Sequence, residues 1–373
     1  MNEIIARNAI RKFRSFVVCL ALSVMVVQGC PGQVQFAKAI SPRAFVFPAD
    51  HAAHPNYGAE WWYYTGIVRT SDNRQFGYQL TFFRVALTPS LANRTSKWAT
   101  RDILFAHFTV SDIRGNRFLV DQKTGRPVLK IAGYSTKKLD VFIGDWAVVQ
   151  QGDVMRLSAS NGTRRLDLRL TPERQPMANG TNGLSRKGPG LGNANYYYSM
   201  PRLKTTGSLV LDGKRFTVGG MSWMDHEWGT SSLTPNQKGW DWFSLRLSDG
   251  RDLMLYQLRD RAGRPTTYSS GTLAQPDGKR IHLTSRDFTV TPVSYWISPT
   301  TRARYPSGWT FRAPKYRIDL TATPLMKNQE LVTTGTTGVT YWEGAIAATG
   351  MSNGKRVIGE GYGELTGYAE GHK

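Results

Sequence analysis

The chain has 373 residues, of which 40% are hydrophobic, so it can fill the core of one large or two ordinary domains rather than remain disordered. Its formal net charge is +21, and residues 1–29 hold four basic residues and one acid, a net +3, so 21 − 3 = +18 remains from Cys30 onward. This excess favours anionic partners such as membrane surfaces, nucleic acid or acidic polymers, and it indicates nothing about the fold.

The first predicted element is an export signal. Basic residues between Arg7 and Arg14 precede an apolar run, Phe16 to Val27, that is too short to span a membrane comfortably. Val27-Gln28-Gly29-Cys30 resembles a lipoprotein box, which would make residues 1–29 the signal and Cys30 the acylated residue; Ala37-Lys38-Ala39 instead fits cleavage after residue 39. Either site predicts an exported protein of the periplasm or cell envelope, in the first case lipid-anchored.

The chain after the signal has the pattern of β-structure. Short alternating runs are separated by Asp-Gly or Asn-Gly pairs, for example at Asp212-Gly213, Asp249-Gly250, Asp277-Gly278 and Asn353-Gly354. Such pairs supply the positive φ angles of tight hairpin turns, so we expect a meander or barrel.

Composition divides the mature chain into segments. Residues 30–43 are expected to be a linker, and residues 44–230 and 231–373 are each of barrel size. The glycine-rich stretch from Met177 to Asn195 predicts a long mobile loop, a candidate lid.

Acids and histidines stand among aromatic residues in "DHAAHPNYGAEWWYYTG" and "SWMDHEWG". The candidate catalytic residues in these segments are Asp225, His226, Glu227, His54 and Glu60. An acid among rings has two interpretations: it can accept hydrogen bonds that merely satisfy buried polar groups, or desolvation can raise its pKa and keep a proton available for a weak base such as an alkene. Asp225 is the first candidate for the second role.

The spacing of these residues limits how they can act together. In an alternating strand Asp225 and Glu227 point to one face and His226 to the other, so a tight triad is not expected. A metal site built on His51, His54 and a carboxylate is disfavoured, because Pro55 opposes the helix that would align the two histidines. We therefore predict neither a metal nor a cofactor.

Other chemistries lack their motifs. The sequence has no Gly-x-Ser-x-Gly elbow, no phosphate-binding loop and no cysteine nucleophile in the exported part. Export also disfavours nucleic acid as a partner. Gly-Lys-Arg occurs at the turns that contain Gly213, Gly278 and Gly354. Lys and Arg at such turns typically keep a protein soluble and protect the edges of its sheets from pairing with other chains. Alternatively, these basic turns could face an anionic membrane.

Five segments together resemble the carotenoid 1,2-hydratase and AttH-like family: "DHAAHPNYGAEWWYYTG", "FGYQLTFFR", "GGMSWMDHEWGTSSL", "KGWDWFSLRLSDGRDLMLYQLR" and "GEGYGELTGY". The similarity runs from about Phe45 to Tyr368. It implies an all-β fold of two consecutive lipocalin-like antiparallel β-barrel domains after the N-terminal signal, with a cavity near their junction. In the carotenoid branch water adds to an isoprenoid double bond, and Asp225 matches the position of the expected proton donor.

These features together predict an exported protein that binds an apolar isoprenoid or lipid-like molecule and adds water to it, or hydrolyses it, without a cofactor. Aromatic residues expected to line the ligand site are Trp61, Trp62, Tyr64, Trp223, Trp228, Trp240, Trp242 and His107. The alternative is a non-catalytic carrier of hydrophobic ligands, or an accessory lipoprotein with an ABC-type export transporter as partner.

Overall fold

The computed structural model describes residues 35–91, 95–231 and 233–369, so the predicted signal and Cys30 lie outside the described residues. Strands dominate this part of the chain, and its only helical turns are two 3-10 turns, Ala49–His51 and Pro314–Tyr316. None of its helices has the length and apolar character needed to cross a membrane. The predicted all-β class is confirmed.

The first sheet curls into a barrel. Its strands are β1 (Ala59–Arg69), β2 (Gln75–Ala86), β3 (Asp102–Asp112), β4 (Arg117–Gly125), β5 (Ala132–Tyr134), β6 (Asp140–Ile143), β7 (Trp146–Gln151), β8 (Val154–Asn161), β9 (Arg164–Pro172), β10 (Met177–Ala178), β11 (Leu184–Arg186), β12 (Ala194–Leu211) and β13 (Lys214–Gly229). Their order is β4-β3-β2-β1-β13-β12-β9-β8-β7-β6-β5, with β10 and β11 beside β12. The edges approach at Gly125, which lies against Ala132 and Ile143 and leaves no room for a side chain there.

A second curled sheet follows in the chain. Its strands are β14 (Gln237–Leu247), β15 (Asp252–Asp260), β16 (Ser270–Ala274), β17 (Arg280–Thr284), β18 (Thr289–Pro292), β21 (Trp309–Ala313), β22 (Ile318–Pro324), β23 (Glu330–Val332), β24 (Thr340–Ser352) and β25 (Lys355–Thr366), while β19 (Tyr295–Ile297) and β20 (Arg304–Pro306) form a separate hairpin. The order is β17-β16-β15-β14-β25-β24-β22-β21-β18, with β23 beside β24. The first sheet ends at Gly229 and the second begins at Gln237.

The predicted hairpins are present. Asp212 and Gly213 have φ angles of 51° and 77° between β12 and β13, and Asn353 and Gly354 have φ angles of 54° and 80° between β24 and β25. Gly250 also has a positive φ, 86°, at the turn between β14 and β15. The Asp-Gly and Asn-Gly pairs therefore fix these turns, as their left-handed backbone preference predicts.

The prediction of one long mobile loop from Met177 to Asn195 is wrong for residues 177–186, which contain β10 and β11, whereas residues 187–193 do form a loop. β10 and β11 pair with β12, and Asn179 is fully buried and donates from Nδ2 to Ser199 Oγ at 2.8 Å. Glycines at 180 and 183 adopt positive φ angles that let the segment fold back on itself. The glycine-rich composition serves tight turns here, not a lid.

Each sheet encloses an apolar core, and the two sheets pack against each other. A third cluster of buried residues, including Ile67, Trp223, Trp242 and Tyr362, fills the layer between them. The sheets come close at Gly77, where a Cβ atom would meet the Tyr362 hydroxyl and the Ala345 methyl. We call this third cluster and the polar groups within it the inter-sheet layer.

Candidate active site in the inter-sheet layer

Strand alternation separates the predicted site residues into two groups. Asp225 and Glu227 of β13 point toward the second sheet, and His226 points into the first barrel, as predicted. The inter-sheet layer holds Asp225, Glu227, Trp61, Trp223, Trp240, Trp242 and His107. The barrel interior holds His226, His54, Glu60, Trp62, Tyr64 and Trp228. The predicted residues therefore do not form one site.

Polar side chains form two facing rows in the layer. Strand register aligns His107, Thr81, Tyr63, Asp225 and Ser199 across the first sheet. Register in the second sheet aligns Glu343, Glu364, Trp242 and Tyr256. Acids from both sheets thus meet in one aromatic-walled space.

Asp225 is buried and accepts three hydrogen bonds. Ser199 Oγ and Trp223 Nε1 donate to its Oδ1 at 2.5 and 2.7 Å, and the Tyr197 hydroxyl donates to its Oδ2 at 2.5 Å. Trp242 Nε1 in turn donates to the Tyr197 hydroxyl at 2.9 Å, which links the second sheet to this carboxyl group. Burial raises the pKa of Asp225 to about 7, although the three donors oppose the shift.

Glu343 and Glu364 bring two further acids to the layer from adjacent strands. The Tyr63 hydroxyl donates to Glu343 Oε1 at 2.5 Å, and Trp240 Nε1 donates to Glu364 Oε2 at 3.0 Å. Burial, with the neighbouring Glu364 charge, raises the pKa of Glu343 well above its usual value. Burial also raises the pKa of Glu364 to about 7. No Lys or Arg lies among the hydrogen-bonding partners that the described residues give these two acids.

The borders of the layer are polar. His107 Nδ1 lies 2.7 Å from the Tyr341 hydroxyl, and burial lowers the pKa of His107 to about 3, so the ring is neutral at neutral pH. At another border Lys187 Nζ lies 2.9 Å from Glu227 Oε1, to which Asn195 Nδ2 also donates. Glu227 is thus paired with a cation, unlike Asp225.

Side chains fill most of the layer. Asp225 and Glu343 are buried, whereas Trp61, Trp240 and Glu364 are half-buried, so solvent reaches the layer beside these three residues. Two surface depressions of the described chain lie elsewhere, near Pro314 and near Arg74. The partly exposed edges of Trp61, Trp240 and Glu364 are thus the part of the layer that lies nearest to solvent.

The other group of predicted residues belongs to a charged network inside the first barrel. Glu60 accepts from Arg84 Nε at 3.1 Å, and Arg84 Nη1 donates to Asp102 at 2.9 Å, with all three side chains buried. His54 Nδ1 and His226 Nε2 each lie 2.9 Å from Glu60 Oε1. Burial would raise the pKa of Glu60, but the two histidines and the Arg84 charge hold it well below its usual value.

This network also contains the one trio among the described residues with the geometry of a metal site. Ligand atoms of His54, Glu60 and His226 lie within 4.8 Å of one another. A divalent cation there would replace the hydrogen bonds on Glu60 and lie close to the buried Arg84 guanidinium, which repels it. The trio therefore fits an internal hydrogen-bonded network better than a metal centre. His51 is not part of it and instead contacts the Tyr198 hydroxyl at 2.6 Å.

Tyr63, Tyr197 and Glu364 were missed as site residues by the sequence analysis. Alternation could have found Tyr63, because it shares a face with Trp61. Glu364 and Tyr197 carry no such signal, since only the strand register and the packing of the sheets bring them to Asp225 and Trp240.

Comparison with known proteins gives a family and two structural relatives. The AttH-like family profile matches residues 38–368. A crystal structure from Nitrosomonas europaea, provisionally named AttH, is 34% identical, has a TM-score of 0.81, and the alignment covers 89% of this chain and 100% of that one. Kievitone hydratase from Nectria haematococca is 18% identical with a TM-score of 0.68, over 90% of this chain and 96% of that one, which shows a shared fold. Comparison with curated proteins found no match.

Proposed function

Because the chain belongs to the AttH-like family, we propose that it is a cofactor-free enzyme of hydratase or hydrolase type that acts on an apolar, isoprenoid-like or lipid-like molecule in the inter-sheet layer. One observation carries the proposal. Asp225, Glu343 and Glu364 reach the same aromatic-walled layer from two sheets, and burial raises the pKa of each. A buried acid that keeps its proton near neutral pH can protonate a weak base. The fold shared with a protein named a hydratase is consistent with this chemistry.

The proposed reaction adds water to a carbon–carbon double bond. In the protonated form of Asp225 the Tyr197 hydroxyl, which otherwise donates to Oδ2, turns its hydrogen away, so that the Oδ2–H group can face the substrate. This O–H bond breaks as the proton passes to one alkene carbon, the π electrons form the new C–H bond, and the other carbon becomes a cation. Trp223 and Trp242 form a T-shaped pair with ring centroids 6.3 Å apart, and the π face that one of these rings presents would stabilise this cation. A water molecule then forms the C–O bond, and the proton that it releases restores the Asp225 carboxyl group.

Glu364 is proposed to position that water. It is half-buried at the opening of the layer, and the only hydrogen bond that its carboxyl group makes to the described residues comes from Trp240 Nε1 to Oε2. Its other oxygen is therefore available to a water molecule. No metal or cofactor takes part in these steps.

We also propose that the protein is exported and anchored through Cys30. Ala39 is fully buried in the core of the first barrel, and Ala37 exchanges hydrogen bonds with Asn56 and Thr230. Cleavage after residue 39 would remove these contacts, so the packing favours processing before Cys30. Mass spectrometry of the mature N-terminus tests this: an unmodified chain beginning at Ile40 would contradict it.

The test of activity compares Asp225→Asn with the unsubstituted protein on apolar alkenes extracted from the host. Products are followed by a mass gain of one water and by ¹⁸O incorporation from labelled water. We expect turnover to fall by about 10²–10⁴-fold, the usual contribution of a general acid. Glu360→Gln is the matched control, because Glu360 lies on β25 like Glu364 but pairs with Arg69 at the surface. Full turnover by Asp225→Asn would refute the assigned role.

A second candidate function is non-catalytic carriage of an apolar ligand. It is favoured by the three protein donors that already occupy both oxygens of Asp225, as in a purely structural carboxylate. Native mass spectrometry distinguishes the two functions. An apolar ligand that co-purifies unchanged, with no product from any candidate alkene, would support the carrier.

A further inference from the structure

The described N-terminal segment and the ends of three strands lie close together at one end of the first sheet. Gly58 precedes β1, its carbonyl accepts from the Ala86 amide at the end of β2, and its amide donates to Thr230 Oγ1 just after β13. Thr230 Oγ1 in turn donates to the Ala37 carbonyl. We call this the entry end of the molecule, because the N-terminal segment joins the first sheet here through Ala37.

Large apolar side chains are exposed around this end. Ile40 is 53% exposed, Leu87 51%, Trp98 58% and Leu191 80%. Leu87 directly follows β2, and its amide donates to the Arg101 carbonyl, which closes the loop that carries Trp98. Gly192, beside Leu191, packs against the side chain of Lys38. Ile40, Leu87 and Leu191 therefore lie beside residues of the entry end, and Trp98 belongs to the loop that follows Leu87.

We propose that the entry end docks on the surface of a lipid bilayer through Ile40, Leu87, Trp98 and Leu191. The length of chain before residue 35 supports this occupant. Cys30 lies 35 − 30 = 5 residues upstream, and five residues span at most about 17 Å even when fully extended. An acyl group on Cys30 would hold the entry end at the membrane surface. Exposed Lys38 and Lys97 beside the apolar residues suit the headgroup region.

The opposite end of β1 carries basic hairpin tips. Arg74, Arg114 and Lys214 line one surface depression there. The eleven residues of β1 separate these tips from the entry end by about 35 Å, at roughly 3.3 Å per residue. When the entry end faces the membrane, charge on those tips acts across several Debye lengths of about 8 Å, so this mode of docking does not depend on them.

The opening of the inter-sheet layer lies toward the entry end. Trp61 is the third residue of β1, and Trp240 is the fourth residue of β14, so both half-buried rings lie near the strand ends joined by the chain after β13. Leu233 of that connection packs against the same cluster. Docking of this end would let an apolar ligand pass from the bilayer into the layer; this last step rests on the proposed function.

The test places a fluorophore at each end of the mature, anchored protein on vesicles of zwitterionic lipid. In the proposed mature form Cys19 is removed with the signal and Cys30 carries the acyl group, so Trp98→Cys and, as the control at a basic tip, Lys355→Cys each supply the single free thiol. Lipids with a quencher in the headgroup region should quench the label at position 98 about threefold more strongly, since interfacial side chains lie about 5–10 Å deep. Equal quenching, stronger quenching at position 355, or none at either would overturn the proposal.

A second variant separates docking from catalysis. Leu87→Ser with Leu191→Ser, in the Trp98→Cys background, should lower the quenching and slow turnover of a membrane-embedded alkene, but leave turnover in detergent unchanged. Quenching at position 98 without any turnover would leave the docking intact and refute the proposed function. Asp225-dependent turnover in detergent without such quenching would support the proposed function and refute the docking.

Discussion

Two buried carboxyl groups, those of Glu60 and Asp225, lie on opposite faces of the first sheet, and their protonation differs. Glu60 lies on β1 and faces the interior of the first barrel, whereas Asp225 lies on the paired strand β13 and faces the second sheet. Both side chains are buried. Arg84 and two histidines hold the pKa of Glu60 low, whereas burial without a cationic partner raises the pKa of Asp225 to about 7. Burial therefore does not decide the role of a carboxyl group; its charged neighbours do.

Because their carboxyl groups differ in protonation, the two faces of the first sheet have different roles. The network around Glu60 and Arg84 is ionised and internally paired, which suits it to holding β1, β2 and the segment before β1 together. The inter-sheet acids keep protons near neutral pH, which suits them to proton transfer. Structural ion pairs also perturb pKa values, so a perturbed pKa indicates a functional site only after such pairs have been identified and excluded.

Removal of the cation from the network should have the largest effect. Arg84→Met leaves Glu60 and Asp102 buried without their charged partner, and we expect the free energy of unfolding to fall by about 3–5 kcal/mol. Urea unfolding at neutral pH measures the change. The partly exposed pair of Arg69 with Glu360 is the control, and Arg69→Met should cost at most about 1 kcal/mol. Similar losses of stability in both variants would show that the buried Arg84 network stabilises the fold no more than the partly exposed pair does.

The two groups should have opposite effects on the pH dependence of stability. The Asp225 carboxyl group is deprotonated above about pH 4 in the unfolded chain but keeps its proton up to about 7 when folded, so its burial costs increasing stability across that interval. Relative to the unsubstituted protein, Asp225→Asn should therefore gain stability from pH 4 to 7, by at most about 1.4 kcal/mol per pH unit. Urea unfolding at pH 4, 6 and 8 measures this, with Glu360→Gln as the control. A difference that stays constant with pH would contradict the raised pKa.

Glu60 should show the reverse sign. Its pKa is lowered on folding, so its stabilising contribution is complete above its unfolded value near 4.5 and is lost as the pH falls below it. Glu60→Gln should be less stable than the unsubstituted protein at pH 7, and the deficit should shrink toward pH 3. Thermal unfolding across this range measures the trend, and a deficit that grows in acid would show that Glu60 is not ionised in the fold.

Zinc should have the smallest effect. Because Arg84 shares Glu60 with His54 and His226, we expect excess Zn²⁺ to raise the melting temperature by no more than about 1 °C. A zinc-dependent rise of several degrees, abolished by His226→Ala, would instead make this trio a metal centre. Calorimetry with and without a chelator settles the choice.

Several parts of the fold followed from the sequence alone. Asp-Gly and Asn-Gly pairs determine the hairpin turns because few other residues adopt positive φ angles without strain. The alternation in "WMDHEW" placed Asp225 and Glu227 on one face and His226 on the other, and the structure agrees. Glycine content was misleading from Met177 to Asn195, since the same residue permits both loose loops and tight buried turns.

Only the tertiary structure decided which acids share a site. Glu343 and Glu364 are separated from Asp225 by more than a hundred residues, and the packing of one sheet on the other brings them together. The partner of each acid was equally hidden, because Arg84 reaches Glu60 through the pairing of β2 with β1. A sequence records which side of its own strand a residue faces, but the pKa of a buried carboxyl group depends on charges that distant strands supply.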